Sequence, residues 1–140
     1  MISLEYLAGY FDGEGCVSFT KAGTKYPSLR IAVATADLEV LQEFFKRFGG
    51  SLSKEKQSGR RRQMYRWYVC GGSRAQEILK ELLPFLVAKR PQAELAMIPD
   101  FRQGKVGKRL TNEERRVRLD ILEQVQAINQ RITVEQGPVN

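Results

Sequence analysis

The sequence predicts an α+β domain in which helices cover one face of a four-stranded antiparallel sheet. Three observations support this class. Some segments carry apolar residues at helical spacing beside capping signals, whereas others alternate apolar with polar residues, as half-buried strands do. The two kinds of segment follow one another as helix, hairpin, helix, hairpin and then further helices. The length of 140 residues suits one domain.

The first helix and hairpin open the chain. Ser3 is the expected N-cap of the helix, and Gly13 or Gly15 is expected to end it with a positive φ. The next two segments, CVSFTK and SLRIAVA, alternate apolar with polar residues. They therefore predict two strands, each with one apolar and one polar face.

A second helix and a second hairpin repeat this arrangement. The helix reads DLEVLQEFFKRFGG, with Asp37 as its expected cap and Gly49-Gly50 as its end. SLSKEKQ predicts a weak strand and MYRWYVC a strong one, joined by SGRRR. The predicted apolar stripe of the helix is Leu38, Leu41, Phe44, Phe45 and Phe48.

The rest of the chain predicts helices. Ser73 and Gln76 form an expected capping box, and Thr111 and Glu114 form another. Between them, Pro91 occupies a first-turn position of a further short helix.

These elements predict one domain over residues 1–140. Its core is expected at about 1–103, with Pro99 cutting or kinking the short helix. An extra C-terminal helix is expected at about 111–132, followed by a frayed tail at 134–140.

The composition limits the partners and the catalytic groups that the protein can use. Lys and Arg number 23 against 16 Asp and Glu, and the net charge of +7 favours a polyanionic partner, most simply nucleic acid. Histidine is absent, which excludes Ser-His-Asp and Cys-His catalysis and histidine-ligated metals. Cys16 and Cys70 are typical strand cysteines of a reducing compartment, and we expect an intracellular protein, in the cytoplasm, the nucleoid or an organelle.

Basic and hydroxyl-bearing residues share the uncovered face of the predicted sheet. Such a face can be an ordinary solvated surface or a nucleic-acid saddle. On the saddle interpretation, Arg30 and Arg66 read guanine edges, and the turn arginines contact phosphates. The predicted contacting residues are Ser18, Thr20, Thr24, Tyr26, Ser28, Arg30, Arg60, Arg61, Arg62, Arg66 and Tyr68.

Residues 7–15, LAGYFDGEG, resemble the motif of the LAGLIDADG homing endonucleases. FKRFGGSL, YRWYVCG and LPFLVAKRPQAELA also resemble family segments, so the likeness covers about residues 4–98. It implies an αββαββα core with a saddle-shaped sheet. It also implies Mg²⁺-dependent double-strand cleavage of DNA at a long pseudo-palindromic site. One motif copy implies a homodimer.

The resemblance also implies roles for individual residues. Glu14 and Gly13 would hold Mg²⁺ or another divalent cation, and Lys89 would act near the scissile phosphates. Thr35 falls where many members have a water-positioning glutamine. Gly9 and Gly13 lie four residues apart on one helix face, which allows close helix packing. The expected dimer contacts are Ala8, Gly9, Asp12 and Gly13, and Asp12 is expected to be the more structural of the two acids.

Two other functional classes remain open from the sequence. Some members of the family assist RNA splicing as maturases or bind DNA without cutting it, and the shorter Thr35 favours such a role. A basic domain that binds a protein partner would leave the motif unexplained. Mg²⁺-dependent cleavage of a candidate site separates the first alternative from the endonuclease.

Overall fold

The computed structural model describes residues 2–20, 28–57, 59, 62–101 and 111–135, with side chains through 130. Its four strands form one antiparallel sheet, and helices cover one face of that sheet, as predicted. None of the helices in these ranges combines the length and the apolar character that a membrane span requires. The elements are α1 (Leu4–Glu14), β1 (Gly15–Thr20), β2 (Ser28–Thr35), α2 (Leu38–Phe48), β3 (Ser51–Lys54), β4 (Tyr65–Cys70), α3 (Gly72–Leu82), a 3-10 helix (Leu83–Phe85), α4 (Arg90–Ala96) and α5 (Asn112–Glu135).

The strands lie in the order β1-β2-β4-β3, so the strong strands β2 and β4 form the centre of the sheet. Their pairing places Arg30 between Ser18 and Cys70, and Ala34 beside Arg66. Because side chains alternate along a strand, these residues share the face opposite the helices. We call it the free face.

The core fills the space between the helices and the other face of the sheet. Trp67 of β4 is fully buried, and its ring stacks on Phe44 of α2 with 4.8 Å between centroids. The Trp67 indole N–H donates to the Gly49 carbonyl over 2.7 Å. Gly50 has φ +92°, and a Cβ there would lie 2.8 Å from the Tyr68 carbonyl oxygen. The double glycine therefore lets the chain pass close to β4.

The end of α1 differs from the prediction. Ser3 caps the helix by accepting a hydrogen bond from the Tyr6 N–H, but the helix continues through Glu14. Gly15 is extended, with φ −79°, and Gly13 is not among the glycines of positive φ. A Cβ on Gly15 would lie 2.5 Å from the Phe11 carbonyl oxygen. Gly15 is thus required by close approach and not by a left-handed backbone.

One predicted cap is correct in position only, and another is wrong. Asp37 occupies the N-cap position of α2, but its side chain makes no capping hydrogen bond. The N-cap of α3 is Gly71 and not Ser73, because the Gln76 side chain instead donates to the carbonyls of Ala96 and Pro99. In the stripe of α2, Val40 is buried and Phe45 is 45% exposed.

The C-terminal helices agree better with the sequence, although α5 continues to Glu135, into the predicted tail, whose residues 136–140 lie outside the described ranges. Pro91 lies in the first turn of α4, which ends at Ala96, before Pro99. The Thr111 hydroxyl accepts a hydrogen bond from the Glu114 N–H at the start of α5. Helix α5 packs against α4 and β1, and its contact with them buries Ile121 and Val125.

Candidate active site and nucleic-acid interface

Asp12 ties the end of α1 to the segment that begins α4. Its carboxylate accepts hydrogen bonds from the backbone N–H groups of Val87, Ala88 and Lys89 at 3.0, 3.0 and 2.8 Å. The Lys89 ammonium donates to the Asp12 carbonyl oxygen over 3.2 Å. The predicted structural role of Asp12 is therefore seen in the contacts, and Lys89 is held at the end of the motif.

The hydrogen bonds also set the charge state of Asp12. Burial by itself raises the pKa of the carboxyl, but the N–H groups of Lys89, Ala88 and Val87 and the Lys89 ammonium lower it. The second effect prevails, so the pKa lies below the ordinary value of 3.8. Asp12 is thus a carboxylate at neutral pH, with its oxygens engaged inside its own chain.

Glu14 lies two residues further on and is placed differently. Its side chain is exposed and forms no hydrogen bond or ion pair with any residue in the described ranges. It lies at the edge of a concavity of about 160 Å³ on the free face, where Ala32 and Ala34 leave room. The concavity is lined by Glu14, Cys16, Ser18, Arg30, Ala32, Ala34 and Arg66. An acid, two arginines and a thiol therefore surround one depression.

Thr35 is not part of this depression. It is 9% exposed, and alternation along β2 places it with the residues that face the helices. Its hydroxyl oxygen accepts hydrogen bonds from the Tyr10 hydroxyl at 2.7 Å and from the Asp37 N–H at 3.2 Å. Thr35, Tyr10 and Asp37 therefore form a polar cluster on the helix side of the sheet. This geometry offers no support for the predicted role of Thr35 in positioning water.

Tyr10 connects that cluster to the motif. It lies one helical turn before Glu14, and its hydroxyl also approaches the Asp37 carboxylate at 3.3 Å. Burial raises the pKa of Tyr10; the Thr35 hydrogen bond lowers it, and the negative charges of Asp37 and Glu14 raise it further. The net pKa lies above 10.0, so the hydroxyl remains a hydrogen-bond donor at neutral pH.

The two predicted base-reading arginines lie on the free face and are held by different partners. The Arg30 guanidinium lies over the Tyr68 ring, 4.9 Å from its centroid. The Arg66 Nε lies 2.6 Å from the Glu55 carboxylate. The sequence prediction did not include Glu55. Because Glu55 follows Ser53 by two residues, the alternation of β3 could have indicated that both side chains lie on the free face.

The other predicted nucleic-acid contacts divide by location. Ser18, Thr20, Ser28 and Tyr68 lie on the free face and are half-buried, and Arg62 is exposed in the connection between β3 and β4. Thr24, Tyr26, Arg60 and Arg61 lie outside the described residues.

The predicted dimer residues also divide. Ala8 is fully buried in the core of its own chain, so it presents no surface to a second copy. Gly9 and Gly13 are exposed, and a Cβ built on either meets nothing within 4 Å. Tyr6 on α1 is 51% exposed and Val87 beside Asp12 is 80% exposed. The glycine face of α1 is therefore open within a single chain and has apolar neighbours.

The donor set near the motif consists of oxygen atoms. Within the described ranges, no three Asp, Glu, Cys or His residues are grouped closely enough to hold a metal ion. One chain offers the Glu14 carboxylate and nearby backbone carbonyls such as that of Gly13.

The sequence matches the model of a known protein family. A family model described as a LAGLIDADG-like domain matches residues 1–82, which is more than half of the sequence. The chain belongs to the LAGLIDADG family. No curated protein sequence matches it.

Solved structures share the fold at low identity. The homing endonuclease I-TnaI is 18% identical with a TM-score of 0.68, over 94% of this chain and 98% of that one. I-CvuI, solved with its target and Ca, is 22% identical with a TM-score of 0.66, over 89% and 80%. The archaeal intron-encoded I-Vdi141I, complexed with DNA, is 13% identical with a TM-score of 0.70, over 89% and 82%.

Proposed function

We propose that the protein is a site-specific double-strand DNA endonuclease that acts as a homodimer with a divalent cation. The observation that carries the proposal is the concavity on the free face, where the exposed Glu14 lies beside Arg30 and Arg66. A net charge of +7 favours binding of a polyanion to this surface. The family assignment and the homing-endonuclease fold support the same function.

The residues at the motif fit a hard cation. Mg²⁺ prefers oxygen ligands and is commonly held by one or two carboxylates together with substrate phosphates. Glu14 supplies one exposed carboxylate per chain, and the Gly13 carbonyl is the adjacent backbone oxygen. A bound Mg²⁺ would make a water molecule more acidic and stabilise charge on phosphate oxygens.

The protein's own groups act around that position. Lys89 is fixed by its bond to the Asp12 carbonyl, so its ammonium can offset negative charge that develops on a phosphate. The arginines of the free face attract the backbone and orient the duplex. Asp12 keeps the Lys89 segment in register with the end of α1.

The open face of α1 supports a dimer. Small residues four apart allow two helices to approach closely, and Gly9 and Gly13 leave this surface unfilled in one chain. A two-fold axis beside these glycines would bring a second Glu14 near the first, which completes a two-carboxylate site.

The test uses the full chain and a pool of duplexes with a random central segment. Duplexes selected for binding are incubated with the protein in Mg²⁺ or in EDTA, and the products are mapped on both strands. We expect related half-sites and cuts in both strands with Mg²⁺ alone. Binding without cleavage, or preference for RNA over DNA, would favour the regulatory or maturase alternative.

The dimer has its own test. The mass of the wild-type protein is measured by sedimentation at micromolar concentration with selected DNA present. We expect a mass of one duplex plus two 16.0 kDa chains, and of one chain at most for Gly9→Leu, whose side chain would occupy the glycine face. Lys80→Leu places the same side chain at an exposed position of α3 and serves as the control. A wild-type monomer on DNA would contradict the dimer.

A further inference from the structure

A carboxylate other than Glu14 lies on the free face where the proposed partner would bring phosphates. The described strand residues on that face include no acid, but Glu55 follows β3 by one residue. The Glu55 N–H donates to the Met64 carbonyl over 2.9 Å, so the β3–β4 ladder continues to this pair. Met64 immediately precedes β4 and lies two residues before Arg66, so its partner Glu55 is on the free face beside them.

The position of the Glu55 carboxylate on the free face needs a physical explanation. A carboxylate on a surface that binds DNA weakens the attraction for phosphates. Its oxygen lies 2.6 Å from Arg66 Nε, and both side chains are 36% exposed. Ion pairs this exposed contribute little to stability, so stabilisation of the hairpin is a weak explanation for the pair.

The pair restricts how Arg66 can bind. A guanidinium offers five donors in a planar fork, and it can meet two acceptors either by its side, through Nε and one amino group, or by its end, through both amino groups. Glu55 lies against the Nε side as an ion pair, and the Nε–H makes no hydrogen bond with the described residues. No described residue bonds to the end of the fork, and that edge matches the N7 and O6 acceptors of guanine.

We propose that Glu55 is a positioning residue that determines base specificity through Arg66. The inference rests on the proposed function, because it concerns how the same surface reads DNA. Arg30 provides an internal comparison, since its guanidinium is held by stacking on Tyr68 and not by a carboxylate. Removing the Glu55 charge should therefore disturb base preference at the position read by Arg66 and spare the position read by Arg30.

The experiment compares full-length wild type with Glu55→Gln, Arg66→Ala and the double variant. The matched control is Glu77→Gln, which removes a carboxylate that pairs with Arg74 over 3.1 Å on helix α3. Each protein selects duplexes from a random pool without added divalent metal. Affinities are then measured for the selected duplex, its single-base variants and one fixed unselected duplex.

We expect wild type and Glu77→Gln to prefer guanine at one symmetric pair of positions that Arg66→Ala no longer discriminates. Glu55→Gln should lower that preference about tenfold, within the range for one arginine–guanine contact. Its affinity for the unselected duplex should stay equal or rise, because a negative charge is gone. In the Arg66→Ala background, Glu55→Gln should change no base preference.

The outcomes separate this inference from the function on which it rests. If wild type selects no sequence, the proposed function fails and the inference fails with it. If wild type is specific and Glu55→Gln keeps the guanine preference, the function stands and Glu55 has no positioning role. Equal loss at every position, with a lowered unfolding temperature, would make Glu55 a structural residue and would also overturn the proposal.

Discussion

The last turn of α1 carries two carboxylates that face different surroundings. Asp12 accepts three backbone hydrogen bonds from residues 87–89 and has a lowered pKa. Glu14 is exposed at the edge of the concavity on the free face, with no partner among the described residues. The two acids are two residues apart in sequence, yet one is occupied by the fold and the other is available to a ligand.

Within this short motif, the contacts of each acid separate a structural role from a chemical one. A carboxylate whose oxygens are already hydrogen-bonded contributes to stability, because replacing it leaves buried or half-buried N–H groups unpaired. A carboxylate on the surface without partners contributes little to folding, so its placement is better explained by binding. Variants of the two acids should therefore change different quantities.

The largest effect is expected for Glu14→Gln. The amide keeps the shape of the side chain and loses the charge that would hold a cation, so cleavage of a selected duplex in Mg²⁺ should fall at least ~1000-fold. DNA affinity and the urea midpoint should be unchanged. Glu5→Gln, in the first turn of the same helix, should cut normally. Undiminished cleavage by Glu14→Gln would end the catalytic assignment.

Lys89→Ala should have the next largest effect. Its ammonium is removed, so cleavage should slow by about 100-fold if it offsets charge at the phosphate. The variant keeps the backbone N–H that Asp12 accepts, so its free energy of unfolding should change by less than about 0.5 kcal/mol. Single-turnover rates and urea curves measure the two effects. Lys80→Ala on α3 is the control. Equal cleavage rates for the two variants would show that Lys89 is an ordinary solvated lysine without a part in cleavage.

Asp12→Ala should differ from both of these variants by lowering the free energy of unfolding. The loss of the carboxylate leaves the N–H groups of residues 87–89 without their acceptor, at a cost of about 1–2 kcal/mol of unfolding free energy, as for a lost helix cap. Cleavage should also slow, since the Lys89 backbone loses its hydrogen bond to the carboxylate, although the carbonyl that accepts from its ammonium remains. Urea unfolding of Asp12→Ala and Glu14→Gln, measured together, gives the contrast. Equal stability of the two variants would contradict the division of roles.

Much of the fold could be predicted from the sequence because local patterns determine it. Ser3 capping, the alternation of β1, β2 and β4, and the position of Pro91 are local features, and the structure confirms them. The residues next to Ser73 in the sequence give no sign that Ser73 is not the cap of α3. Gln76 is recruited by the carbonyls of Ala96 and Pro99, which are distant in sequence.

The candidate site was predictable in its residue types but less so in its partners. The motif indicated Glu14 and Asp12, and the segment LPFLVAKRPQAELA indicated Lys89. The structure places Asp12 and Lys89 in contact. The alternation of β2 predicts on which side of the sheet Thr35 lies. The resemblance gave Thr35 a role in positioning water, which its contacts with Tyr10 and Asp37 do not support. The Glu55–Arg66 pair depends on hairpin register, which sequence alone leaves open.

The smallest effect expected is the dependence of stability on pH through Asp12. The folded-state pKa lies below the ordinary 3.8, so the folded state binds the proton less readily than the unfolded state. The stabilising contribution is therefore complete above the unfolded-state pKa and is lost as the pH falls through the folded-state pKa. We expect the stability difference between wild type and Asp12→Ala to be constant from about pH 7 to about pH 5 and to shrink below it. Because the carboxyl is only half-buried, solvent screening should keep the pH-dependent part under about 1 kcal/mol. Urea midpoints across this range for wild type, Asp12→Ala and Glu14→Gln provide the measurement, with Glu14→Gln following wild type. A difference that grows as the pH falls would mean that the hydrogen bonds to residues 87–89 do not favour the charged form.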